Sequence, residues 1–184
     1  MNRFLIECFQ SDIAKSLCDK HIVKMPLEEA QMLSHALHRH MGNEDETFAE
    51  FNERMGTQNG PKAHAKHPCT VWAGETRANY EWALTLLKQM CREKTRRYGK
   101  PHKCESLIPL FEKLKVNIPD GNITPHPQCF GSVDEECRTQ EDWPIGAYRK
   151  YYKWKYDTTD WCKENKLNPT PDWLINNVYK GEVA

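Results

Sequence analysis

The chain has no apolar run long enough to span a membrane, and its N-terminus lacks the basic-then-apolar layout of a secretory signal. It has no CxxC, although eight cysteines are spread over positions 8 to 162. Without a signal peptide these read as reduced thiols in a cytoplasmic protein. It has no net charge, with 26 basic and 26 acidic residues, so the overall balance says nothing about partners. Also missing are a P-loop, a Rossmann glycine pattern, a Ser/His/Asp order and HExxH, which argues against nucleotide-triphosphate hydrolysis and dehydrogenase chemistry. No internal repeat and no strand-like alternation is visible. What is abundant is aromatic: six Trp, seven Tyr and six Phe argue for a packed core despite a mean hydropathy of -0.82.

The 184 residues fit one domain. Ser11-Asp12 can cap a helix running from Ile13 towards residue 40, with Pro26 kinking or splitting it and Gly42 as a stop. Residues 43–66 are acidic, then Gly/Pro-rich, and read as a loop or insert. Pro68 opens a second long helix from Cys69 to Tyr98, stopped by Gly99, with Trp72, Asn79, Trp82, Leu86 and Met90 inward. A third helix fits Glu105 to Lys115. Residues 116–142 read as irregular, Trp143-Pro144 starts a helix through Tyr156, and Pro171-Asp172 opens a short terminal one. These patterns predict an all-α single domain over residues 1–184.

His21, Lys24, Glu28, Gln31 and His35 step by three and four and so share one helix face, opposite Ile22, Met25, Met32, Leu33, Ala36 and Leu37. The stripe is either a salt-bridged outer face or a site. The charges also segregate. Lys88 to Lys103 holds seven basic residues and one acid, and Trp143 to Tyr156 holds no acid. In that second segment Arg149, Lys150, Lys153 and Lys155 alternate with Tyr148, Tyr151, Tyr152, Trp154 and Tyr156. Cations neutralise phosphates and rings offer faces to unstacked bases, so these segments suggest a nucleic-acid face; otherwise the tyrosines are core and the lysines solubilise.

His67-Pro-Cys69 and His102-Lys-Cys104 repeat a His-x-Cys pair, with His64 nearby. Two thiolates and two imidazoles make a zinc site if the loops converge, but this is not a usual ligand spacing. The preferred reading is no metal and no cofactor, with His67 a helix-start residue that hydrogen-bonds backbone. Glu75 and Asn79 either face the stripe or make a polar contact between helices.

Arg3 follows the N-terminal dipeptide, Asp19-Lys20-His21-Ile22 precedes Glu28, which stands seven residues after His21, and His67-Pro68 is followed by Asn79-Tyr80. Arg96-Arg97-Tyr98-Gly99 and Tyr148-Arg149-Lys150-Tyr151-Tyr152-Lys153 complete the order. In this order the features resemble the pyrimidine-dimer DNA glycosylases of the phage endonuclease V type. The opening patterns also resemble those of a widespread group of phage proteins. The resemblance implies an all-helical fold with DNA glycosylase and abasic-site lyase activity. A terminal amine would attack C1′, and Glu28 would be the catalytic carboxylate. Arg3, His21, Lys24, Gln31, His67 and Asn79 would hold the substrate. Arg96, Arg97, Lys100, His102, Arg149, Lys150, Tyr151, Tyr152, Lys153 and Trp154 would meet the nucleic acid.

The chain departs from this family at Asn2, a bulky residue that protects Met1 from removal. Either Met1 supplies the amine, or Lys24 or Lys100 replaces it, or the lyase step is lost. Pro26 and Leu27 also stand where polar groups would flank Glu28. The expected partner is damaged duplex DNA or a nucleotide, with no membrane, and the protein a monomer. The alternatives are a non-catalytic nucleotide or nucleic-acid binding protein, and an enzyme acting on a modified base or a free nucleotide.

Overall fold

The computed structural model describes residues 3–127, 129, 137, 144–155, 161 and 170–175. Met1, most of the acidic segment 134–142, Trp143 and Tyr156 lie outside the described residues. Every regular element among those described is helical, as the sequence patterns predicted. In chain order they are α1 (Gln10–Ser16), α2 (Asp19–Met41), α3 (Phe48–Met55), α4 (Pro68–Ala73), α5 (Arg77–Tyr98), α6 (Ile108–Leu114), α7 (Ile145–Lys155) and α8 (Asp172–Ile175). Short 3-10 turns cover Lys62–Lys66, Lys103–Leu107 and Lys115–Asn117. No helix among the described residues is long and apolar enough to cross a membrane.

The first long helix breaks earlier than Pro26. Leu17 and Cys18 adopt extended backbone angles, which separates α1 from α2, and α2 then runs through Pro26 unbroken. A proline inside a helix costs about 3 kcal/mol or more. Ile22, Met25, Met32, Leu33 and Leu37 on the same helix are buried, each contributing about 1.5–3 kcal/mol, so packing outweighs the proline.

The second expected helix is two. Gly74 ends α4, and the Thr76 hydroxyl accepts the Asn79 N–H at 3.1 Å to start α5. Gly74 has a packing reason as well: a Cβ there would meet the Ala36 Cβ at 3.3 Å, and its carbonyl accepts from His40 Nε2 at 2.7 Å. The supposed loop at 43–66 contains α3. Thr47 and Glu50 cap it reciprocally, Thr47 N donating to Glu50 at 2.8 Å and Glu50 N to the Thr47 hydroxyl at 3.3 Å. The third helix starts later than Glu105, because Pro109 fits only the first turn of α6 and the preceding residues tighten into a 3-10 turn.

α2 packs along α5, and α1 lies on α5 beside it. The core has two clusters. One joins Phe4, Leu5 and Ile6 with α1, the start of α2 and the α7 residues Ala147, Tyr148, Tyr151 and Tyr152. The other joins the second half of α2 with α3, α4, α5 and α6. Trp82 packs against both. The N-terminal segment is therefore threaded into the interior between α2, α5 and α7.

Candidate active site

Most of the α2 stripe is enclosed. The His21 ring stacks on Phe4 at 4.4 Å, with Nδ1 hydrogen-bonded to the Tyr152 hydroxyl at 2.6 Å. Gln31 donates to the Asn59 carbonyl at 3.0 Å, and His35 stacks on Phe48 at 3.4 Å. Burial pushes the His35 pKa down to about 4. Lys24 is the exposed member, at 62 % of its side chain, and it pairs with Glu28 at 2.8 Å. Glu28 itself is 7 % exposed. The stripe is thus a row of interior contacts with one carboxylate–ammonium pair at its edge.

The turn at Lys62–Lys66 and the start of α4 lie against this edge. His64 interacts electrostatically with Glu28, Lys24 and His67, while burial lowers its pKa. His67 caps α4 by accepting the Cys69 N–H on Nδ1 at 3.2 Å, as its place before Pro68 suggested. His102 does the same for Cys104 at 3.1 Å, so the repeated His-x-Cys is one capping turn used twice.

Beneath Glu28 lies its neighbour Glu29, a residue the sequence did not single out. Arg3 donates to it twice, Nη2 to Oε1 at 2.5 Å and Nε to Oε2 at 3.2 Å. Arg3 is 2 % exposed and its guanidinium lies over the rings of Trp72 at 4.9 Å and Trp82 at 5.6 Å. Burial opposes its charge, but Glu29 beside it raises the pKa above the ordinary arginine value. Arg3 therefore anchors the N-terminal segment from inside. Asn79 is also interior: its amide donates to the Trp72 carbonyl at 2.9 Å and to the Thr124 hydroxyl at 2.7 Å. Thr124 N returns a bond to Asn79 at 2.9 Å, and the Thr124 hydroxyl donates to Glu75 at 3.2 Å. Glu75 and Asn79 thus hold the segment after α6.

The basic segments divide between interior and surface. Arg97 is 3 % exposed, bonded to Glu93 at 2.7 Å, to Asp19 at 3.0 Å and to the Lys15 carbonyl at 2.8 Å, so it ties α5 to the α1–α2 junction. Arg96 pairs with Glu93 at 2.6 Å, and Lys100 is exposed. His102, half-buried, has its pKa lowered by burial. On α7, Tyr152 is fully buried, and Arg149 donates to the Ile6 carbonyl at 2.8 Å and to Glu7 at 2.6 Å. Lys150 and Lys153 are partly exposed; burial, with Arg149 nearby, lowers the Lys153 pKa. Trp154 projects into solvent, 65 % exposed.

Rings link this outer face to the α2 stripe. Phe4 lies 4.4 Å from His21 and 6.2 Å from Tyr151, and Tyr151 is 6.2 Å from Trp154. Phe4, another residue the sequence did not mark, is the hub. The arrangement therefore sets a shielded carboxylate, an ammonium and two imidazoles at one edge, with an exposed indole and lysines on a helix coupled to it through packed rings. A carboxylate so placed can stabilise a developing cation and move a proton.

The sequence profile of the family described as pyrimidine dimer DNA glycosylase matches residues 1–106. Searches of curated proteins and of solved structures give no significant match.

Proposed function

Because the chain belongs to the pyrimidine-dimer DNA glycosylase family, we propose that it excises damaged or modified pyrimidines from duplex DNA and cleaves the abasic site, with Glu28 as the catalytic carboxylate. A neutral amine attacks C1′ of the damaged nucleotide, a C–N bond forming as the glycosidic bond breaks and the base departs. The sugar opens to a Schiff base, and loss of a C2′ proton then expels the 3′-phosphate. Glu28 supports the cationic sugar and carries protons between these steps.

The observation that carries this reading is the Arg3–Glu29 pair, which fixes the N-terminal segment to the turn of α2 that bears Glu28. Two residues of extended chain span at most about 7 Å, so a terminal amine borne by Met1 would have only that reach from the anchored Arg3. An α-amino group, ordinarily of pKa about 8, is neutral at physiological pH far more often than a lysine, ordinarily about 10.4. This favours Met1 as nucleophile. Lys24, 2.8 Å from Glu28, is the second candidate. Lys24, Lys150 and Lys153 suit phosphate contacts, and Trp154 suits stacking against a base during extrusion of the damaged nucleotide.

The test is strand cleavage of ultraviolet-irradiated duplex against undamaged duplex, with wild type and Glu28→Gln side by side. The proposal expects cleavage of the irradiated duplex by wild type and its loss in the variant. Binding without cleavage, equal in both proteins, would leave a non-catalytic nucleic-acid binder.

A further inference from the structure

We propose that His67, Cys69 and Cys129 form a site for a thiophilic divalent cation, with zinc the best chemical fit, that clamps the segment around Thr124 onto α4. The ligand atoms of these three residues all lie within 4.8 Å of one another. The two sulfurs are 3.2 Å apart, wider than the about 2.05 Å of a disulfide. Around a tetrahedral zinc two thiolates at about 2.3 Å sit about 3.8 Å apart, so the sulfurs part slightly and the imidazole closes in to complete the set.

The two His-x-Cys turns provide an internal contrast. Both histidines cap their turns through Nδ1 in the same way. Among the described residues the first has a second sulfur brought to it from 60 residues away in sequence, whereas Cys104 Sγ donates to the side-chain Oε1 of Gln58 at 3.7 Å. Since Nδ1 of His67 accepts a backbone N–H, it already presents a lone pair, and a cation takes that pair in exchange for the cap bond. No proton need leave the ring.

Charge also suits the site. Two thiolates and one neutral imidazole cancel the charge of a divalent ion, so the filled site places no net cation beside Arg3, which interacts electrostatically with both cysteines. Cys69 is buried and Cys129 half-buried; a water would complete four-coordination. The held segment is already strapped by the Trp72 indole donating to the Thr124 carbonyl at 3.1 Å and the Thr76 hydroxyl donating to the Asn122 carbonyl at 3.0 Å. A cation at Cys129 would fix its far end. Binding releases the two thiol protons, so affinity rises with pH.

The experiment uses the untagged full chain, reduced, stripped of metal and titrated with cobalt(II). The site predicts one equivalent bound with thiolate-to-cobalt charge-transfer absorption and tetrahedral visible bands. Zinc should displace the cobalt and raise the melting temperature. Cys129→Ser should lose the charge-transfer band and the zinc-induced shift, while Cys104→Ser keeps both. Circular dichroism of each metal-free variant establishes that it folds. Absence of a thiolate band in the folded wild type, or its persistence in Cys129→Ser, would overturn the proposal. So would a Cys69–Cys129 disulfide forming in air from a reduced protein that takes up no cobalt, which would mark the pair as redox-active instead.

Discussion

Arg3 and Glu29 face each other as a two-point ion pair with 1 % of either side chain exposed. Removing one partner of such a pair strands the other charge in a medium that cannot solvate it, at a cost of about 3–5 kcal/mol. Glu29→Gln should therefore lower stability by that amount in urea denaturation. Replacing both residues with apolar side chains of similar volume should cost much less. If the single and double variants lost equal stability, the pair would not be acting as a unit.

Glu28, one residue away, should behave in the opposite manner. Its visible partner is the exposed Lys24 one helical turn earlier, an arrangement worth about 0.3–0.5 kcal/mol. Glu28→Gln should unfold within about 1 kcal/mol of wild type while losing strand cleavage. A large stability loss would assign Glu28 to the frame of the fold.

The aromatic helix α7 should separate into a binding side and a packing side. Trp154→Ala removes an exposed ring; it should leave stability within about 0.5 kcal/mol and weaken binding to irradiated duplex by the worth of one stacked base, about 1–3 kcal/mol. Tyr152→Phe removes the hydroxyl that meets His21 at 2.6 Å and accepts the Cys18 N–H at 3.2 Å. It should cost about 1–3 kcal/mol of stability. Fluorescence anisotropy and denaturation on both variants check the division.

Buried imidazoles set an acid limit. The pKa of His35 and that of His126 are each lowered by burial to about 4, from an ordinary 6.5. Between those values the unfolded chain binds the protons that the folded chain excludes, so stability is full above about pH 6.5 and falls as pH drops towards 4. Denaturation midpoints measured from pH 7.5 to 4.5 should decline across that window, and His35→Phe should flatten the slope. An unchanged slope in a folded variant would mean that His35 is not excluded from protonation.

Much of this frame is legible in the chain itself. Gly42 and Gly99 end α2 and α5 where the stop signals stand, Gly99 in the left-handed conformation at φ 66. His67 before Pro68 caps a helix. The capping box of α3 was equally readable in Thr47-Phe-Ala-Glu50, but the acidic and glycine-rich surroundings mask it. Pro26 misleads because local chemistry disfavours what core packing enforces. The paired states of Arg97 and Arg3 depend on Asp19 and Glu29 brought in by tertiary contact, and a charge count cannot distinguish such interior arginines from phosphate-facing ones. Phe4 is unmarked for the same reason: its contacts with His21, Tyr151 and Tyr152 join segments more than 125 residues apart in sequence with ones close to it.

The central claim is an amine-based excision steered by Glu28, and borohydride trapping tests it most directly. Wild type and Glu28→Gln are incubated with irradiated, abasic and intact duplexes in the presence of borohydride, which reduces any Schiff base to a stable link. The account predicts a covalent adduct on irradiated and abasic DNA with wild type only, mapping to the N-terminal peptide. No adduct and no strand cleavage from folded protein on either damaged duplex would contradict it.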